Sequence, residues 1–352
     1  MIRWRAGTVS AVLSSWAGVC EVQVETEDGP VPALAYPALV GAPVLGDRVL
    51  LNTTALAMGL GTGGYALVIA LPDRLPPDTQ SAGHLVKARY TPAQATVQGV
   101  DEQGSPHHDV IAAATSIDGM PVVVADLHSA LPAILAGIRS TQPAARVAYV
   151  LTDGGALPLW FSKTVAALGS ELCGTVTTGQ SFGGDLESVT VHTGLLAARH
   201  VLRADLAIVT QGPGNLGTGT PWGFSGVAAG ETVNAVGTLA GRAVGALRIS
   251  AADRRERHQG VSHHSLTAFG RVALAPVDLV VPAGLPADLA SAVRSQLAPL
   301  AERQHVVEVS VDGLDEALRA SPVQLATMGR SLDQDYWYFL AAAAAGKHAA
   351  AL

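Results

Sequence analysis

The stretch Leu206-Ala207-Ile208-Val209-Thr210-Gln211-Gly212-Pro213-Gly214-Asn215-Leu216-Gly217-Thr218-Gly219-Thr220 decides the fold. Its opening residues, 206–210, are apolar or β-branched without alternation, the mark of a strand covered on both faces of a parallel sheet. The remainder is a polar, glycine-rich loop. Comparable apolar runs lie at 121–125, 146–151, 172–177, 244–249, 277–281 and 306–311. Between them apolar residues fall at helical spacing. Val191, Leu195, Ala198 and Leu202 share one helix face, and Leu289, Val293, Leu297 and Leu300 share another. Strand and helix in alternation predict an α/β domain on an open, mostly parallel, doubly wound (Rossmann-like) sheet.

Upstream the pattern changes. Short β-favouring runs at 8–13, 20–24, 31–36, 48–51 and 65–69 are separated by turn signals such as Glu27-Asp28-Gly29-Pro30, Gly46-Asp47 and the glycine run 59–64. Val22 and Val24 alternate with Glu21, Gln23 and Glu25, as a half-buried strand requires. A compact barrel of about five strands is expected. The proline-rich segment 73–81 reads as a linker. The expected domains are therefore 1–80, small and all-β (barrel-like), and 81–352, the α/β domain with the ligand-binding edge.

The polar motifs share a position. The run 121–125 leads at once into Asp126 and His128, 146–151 into Asp153, and 172–177 into a loop that ends at Asp185. The run 206–210 leads into the glycine-rich loop, and 244–249 into Ser250, Asp253 and a block of arginines and histidines. In a parallel sheet these carboxyl ends lie along one edge, where ligands bind. Gly212, Gly214, Asn215, Gly217 and Thr218 can turn backbone N–H groups and side-chain donors toward an anion. A helix read over 224–239 adds its positive end. The loop is neither a P-loop nor a dinucleotide fingerprint, because no Lys-Ser/Thr pair follows it. The plain alternative is a long crossover loop.

The block 248–265 holds Arg248, Arg254, Arg255, Arg257, His258, His263 and His264. Guanidinium forks suit carboxylate or phosphate, and neutral imidazoles suit metal ligation or proton transfer. Its plain alternative is a solvated helix face on which Asp253 and Arg257 pair one turn apart. Asp185 has a plain reading too, as the N-cap of a helix after Gly183-Gly184. His128 has another, as a core imidazole bonded to backbone. Asp126 and His128 with His263 and His264 are the candidate metal ligands. The order Asp-x-His, Gly-Asp, then later histidines is loosely similar to two-metal phosphoesterases. Their Asn-His step is missing, since Asn215-Leu216 stands there.

Of the 352 residues 49% are hydrophobic and 14% charged, enough for a sizeable core and few idle charges. The net charge of -7 argues against bulk binding to nucleic acid or anionic lipid. Cys20 and Cys173 have no metal spacing and read as reduced thiols. The stretch 9–20 is broken by serines and continues into a strand pattern, so it reads as folded protein rather than a targeting signal. No apolar run approaches the ~18 residues of a membrane span, and the Ala-rich run 337–345 reads as a terminal helix. The cytoplasm is the expected compartment.

The segments 151–158, 179–187, 212–220 and 254–264, with 52–64, resemble over nearly the whole chain an uncharacterised bacterial family catalogued as domain of unknown function 3866. That family carries no established activity, so the resemblance implies no substrate, cofactor or catalytic residue.

The expected function is binding of, and action on, a small anionic, nucleotide-like metabolite that bears phosphate or carboxylate. Gly212, Gly214, Asn215, Gly217, Thr218, Arg254 and Arg257 would hold it. Asp153, Asp185, His258 and His263 would supply proton transfer. A divalent metal ion is the candidate cofactor and a homo-oligomer the candidate assembly. The alternatives are a non-catalytic ligand sensor or scaffold, and a metal-dependent phosphoester hydrolase.

Overall fold

The computed structural model describes residues 2–59, 63–78 and 80–352. Residues 60–62 of the glycine run and residue 79 of the linker segment lie outside the described residues. The chain divides into two compact units. One runs to Val97 and includes Trp160–Ala166, and the other holds Gln98–Leu159 and Ala167–Leu352.

The first unit is a closed barrel of β1 (Trp4–Trp16), β2 (Val19–Thr26), β3 (Gly29–Ala35), β4 (Arg48–Asn52) and β5 (Ala66–Ala70), in the order β1-β2-β3-β5-β4. Alternation decides it: Val22, Val24, Val49, Leu51 and Ala66 point into the core while their neighbours along each strand face outward. The stretch 9–20 belongs to β1 and the start of β2. Trp160 is anchored to the barrel by a hydrogen bond of 2.8 Å from Trp16 Nε1 to its carbonyl.

The second unit is built on eight strands. These are β6 (Pro121–Val124), β7 (Val147–Thr152), β8 (Gly174–Thr177), β9 (Leu186–Glu187), β10 (Leu206–Gln211), β11 (Arg242–Ala246), β12 (Asp278–Pro282) and β13 (His305–Val309). Their order is β9-β8-β7-β10-β6-β11-β12-β13, and every neighbouring pair is parallel. The central strands are buried through both sets of alternating side chains, which is why their sequences read as continuous apolar runs. Val122, Val124, Val150 and Val209 pack with Leu195 and Val233 of the helices Val191–His200 and Ala228–Thr238. The C-terminal helix, Tyr336–Ala350, packs against helix Leu131–Thr141 and is buried along most of its length. Among the described residues no helix is long and apolar enough to cross a membrane.

Two local expectations change. The helix read over 224–239 is a 3₁₀ turn, Ser225–Val227, followed by the α-helix Ala228–Thr238. The glycines at 183–184 do not lead into a helix. Leu186 and Glu187 join the sheet edge beside Val176 and Thr177, and the next helix is capped by Thr190, which accepts from Thr193 N.

Candidate functional site

Strand order determines which loops meet. β10, β6 and β11 are neighbours, so the carboxyl ends that carry Gln211, Asp126 and the arginine-histidine block converge. The chain leaves β6 toward β7 on one side and leaves β11 toward β12 on the other.

The block after β11 is not a helix face. Ile249–Ser250 pairs antiparallel with Gly260–Val261, making a hairpin that carries Asp253 out and brings His258 back. Ser262 N then donates to Arg248 O at 2.8 Å, and Ser262 Oγ caps the short helix His263–Thr267 by accepting from His264 N. As a result His258, on the loop, stands against His263 and His264, on the helix. The ring centroids of His258 are 5.0 Å from each, and those of His263 and His264 are 4.4 Å apart. Ser262 Oγ lies 2.7 Å from His258 Nδ1. Phe224 stacks flat on His264 at 3.9 Å. Burial first, then the nearby Arg248 and Arg255, push the His258 imidazole down to about 3. Burial, His264 and Arg257 push His263 down to about 4. Both rings are therefore neutral near pH 7.

Asp126 closes this group from the β6 side. It is 3% exposed, and its Oδ2 faces His264 Nδ1 at 3.5 Å. The chain can pass this close only at Gly226, where an added Cβ would sit 2.9 Å from that of Asp126. Gln211 Nε2 donates to Asp126 O at 2.7 Å and to Asn215 Oδ1 at 2.8 Å, which ties β10 to β6. Asp126, Thr152, Gln211 and Ser225 line a cavity of about 10 Å³, room for one water-sized group. Asp126 Oδ2, Gln211 Oε1, His263 Nε2 and His264 Nδ1 are all buried without a hydrogen-bond partner. Buried polar atoms are nearly always paired, and leaving one unpaired costs about 1–3 kcal/mol. Two of the four, Asp126 Oδ2 and His264 Nδ1, face each other at 3.5 Å, which leaves Gln211 Oε1 and His263 Nε2 as the buried polar atoms of this edge with no partner among the described residues.

The arginines divide into two kinds. Arg248, 2% exposed, reaches Asp253 Oδ2 at 3.0 Å, and Arg255 makes a fork on the same carboxylate at 2.8 and 2.9 Å. Arg330 bridges Asp253 and Asp335. Hydrogen bonding from Arg255 holds the Asp253 carboxyl well below the usual carboxylate range. Asp253 thus pairs with these arginines and not with Arg257, because the segment is a hairpin and its residues four apart share no helical turn. Arg254 and Arg257 are exposed and form no ion pair among the described residues. Arg257 Nη2 comes within 3.9 Å of where a Cβ on Gly219 would lie, which brings the β11 block over the β10 loop.

That loop is a small hairpin. Gly217 bridges Phe224, Thr218 N donates to Gly223 O at 2.7 Å, and Leu216 and Ser225 are hydrogen-bonded to each other. Asn215 Oδ1 accepts from Gln211 and Ser225, and Thr218 Oγ1 is bonded within the loop. Gly212 N reaches Thr152 O, and Gly214 holds a left-handed turn at φ 93°.

Three candidates have their side chains engaged elsewhere. Asp153 is exposed, and its Oδ2 accepts from Gln180 N at 2.8 Å, fixing the turn after β8. Asp185 accepts from Thr175 N and Oγ1, both at 2.8 Å, beside the first half of β8. It is neither an N-cap nor on the carboxyl edge, because the 178–185 loop doubles back before β9. His128 is outside the histidine group. Its Nδ1 is 2.9 Å from Tyr149 Oη, which is 2.7 Å from Thr210 Oγ1. Gln211 and Phe224 are additions to the site. Gln211 carried a signal, since it follows its strand as directly as Asp126 does, while Phe224 carried none.

Burial pushes His128 down to about 4. The unfolded chain takes up a proton near pH 6.5 that the folded chain refuses until pH ~4. Stability is therefore greatest above pH 6.5 and is lost as pH falls through that window, by about 3 kcal/mol from this group. Urea unfolding at pH 7.5, 5.5 and 4.5 should show the loss, and His128→Gln should reduce its slope. An unchanged slope would assign it elsewhere.

None of the curated proteins matches the chain. A family model described as a protein of unknown function, DUF3866, matches residues 32–346. The strand ends, the glycine-rich loop and the histidine block all fall inside that span, and the chain belongs to the DUF3866 family.

Proposed function

We propose that this protein binds a small anionic metabolite, phosphate- or carboxylate-bearing, at the carboxyl edge of its sheet, and acts on it there. One observation carries the reading: Arg257, free of any acidic partner among the described residues, lies over the glycine-rich loop at Gly219 and close enough to His263 to depress its pKa. A cation, the glycine-rich loop and neutral imidazoles then share one wall. Arg254 adds a second exposed cation nearby in sequence. The doubly wound reading of the sheet supports the location, because ligands of such sheets sit where the connections diverge. The cytoplasm is the proposed compartment, in keeping with two free cysteines.

Calorimetry and thermal-shift titration with inorganic phosphate and a nucleoside monophosphate test the reading. Saturable binding is expected, weakened roughly 10-fold or more in Arg257→Ala, the worth of a charge-assisted hydrogen bond. Equal affinity in that variant, or no binding at all, overturns it. Binding without turnover would make the protein a sensor or scaffold. A second reading, metal-dependent phosphoester hydrolysis, is favoured by the histidine group beside the same wall.

A further inference from the structure

We propose that His258, His263 and His264 bind one divalent transition-metal ion of the zinc type, with Asp126 as the positioning residue for His264. The ion deepens the anion reading by supplying a Lewis acid at that wall, yet its ligands are other side chains, so the site can exist even if the anion reading fails. Each imidazole offers one nitrogen, and these nitrogens lie within 4.8 Å of one another. Metal–nitrogen bonds of about 2.0–2.1 Å would draw them somewhat closer. His128 does not belong to the set, since its Nδ1 is engaged by Tyr149 on another path.

Two observations point to an ion rather than to a packed aromatic cluster. First, His263 Nε2 is buried without a hydrogen-bond partner, which a purely structural histidine avoids. Second, the outer groups have the arrangement that orients metal-bound imidazoles. Ser262 Oγ occupies Nδ1 of His258 and leaves only Nε2 open, and the Asp126 carboxylate faces His264. Phe224, stacked flat on His264, fixes the plane of that ring in either case. Imidazole donors select zinc, cobalt, nickel, copper or iron over magnesium and calcium, which prefer oxygen. Three protein ligands are the number that leaves a coordination position open for water or an anion.

The test uses the full chain, stripped with a chelator and titrated with Co²⁺ and Zn²⁺ alone. Expected are one ion per chain, a tetrahedral cobalt absorption band, and displacement of cobalt by zinc. His263→Ala and His258→Gln should each weaken binding roughly 100-fold while circular dichroism is unchanged. His258 lies on the hairpin, so its variant keeps the test decisive if His263→Ala does not fold. Asp126→Asn should lower affinity but keep the stoichiometry and the band, the signature of positioning. His128→Gln should bind as the wild type does. No cobalt band in the wild type, or loss of metal in His128→Gln with retention in His258→Gln, overturns the proposal. Failure of phosphate binding alone overturns the anion reading and leaves the metal stoichiometry standing.

Discussion

Gly346→Ala is expected to destabilise the α/β unit, although alanine is the better helix former by about 1 kcal/mol. Gly346 lies in the C-terminal helix where it crosses helix Leu131–Thr141, and Gly137 lies opposite in that helix. A Cβ at 346 would fall within the van der Waals envelope of the Ile134 carbonyl oxygen, and one at 137 within that of Ala343. Both obstacles are helix backbone, which cannot rotate aside. The helices must separate, and separation opens voids along the alanine stripe 341–345, every residue of which is buried. Overpacking of this kind costs about 1–3 kcal/mol for small additions and more when backbone must move. Gly346→Ala should lose roughly 2 kcal/mol, and Gly346→Leu roughly 4 kcal/mol or more, a large part of the 5–15 kcal/mol typical of a domain. Thermal unfolding gives the sign. A rise in the midpoint for Gly346→Ala would show that helix propensity wins and that the crossing is looser than described.

The strands of the sheet were legible because burial on both faces leaves a one-dimensional signature. The runs at 146–151 and 206–210 became Val147–Thr152 and Leu206–Gln211, a shift of one residue at most at each end. The barrel strands showed through alternation. The close helix crossing was not legible, since Gly137 and Gly346 are each an unremarked glycine until a partner 209 positions away is known. Strand order was hidden for the same reason. It is set by crossover connections, and it alone tells that Asp126 meets His264 while His128, two residues later, turns to Tyr149. Asp185 was misplaced because Gly-Gly-Asp is an N-cap signal only if a helix follows, and here an edge strand does. The arginine count misled in part. Charge composition cannot distinguish Arg248, locked to a buried carboxylate, from Arg257, which is exposed.

That lock carries the second large effect. Asp253→Asn is expected to cost about 3–5 kcal/mol, the penalty of leaving a buried charge without its counter-ion. Arg248 and Asp253 are each 2% exposed and 3.0 Å apart, so water cannot replace the lost carboxylate. The effect should depend on pH in a defined direction. The folded Asp253 pKa lies below its unfolded value, so the stabilisation is complete above the usual carboxylate pKa and is lost as pH falls through it toward the folded value. The wild type should therefore converge on Asp253→Asn in acid, and the two should differ most near pH 7. The pair can also be tested for net worth. Arg248→Met combined with Asp253→Leu removes both charges, and apolar replacement of a buried ion pair is often close to neutral. Arg255 and Arg330 would then lose a partner, but both reach solvent, and Arg330 keeps Asp335 at 2.8 Å. The double variant should thus be more stable than Asp253→Asn. If instead it is the worse of the two, Asp253 acts mainly by organising the 249–261 hairpin, through its bonds to Ser250 and Arg255, and cobalt binding by the histidines should fall with it. If Asp253→Asn lies within 1 kcal/mol of the wild type at pH 7, Arg248 is hydrated in solution and the hairpin is held by its backbone alone.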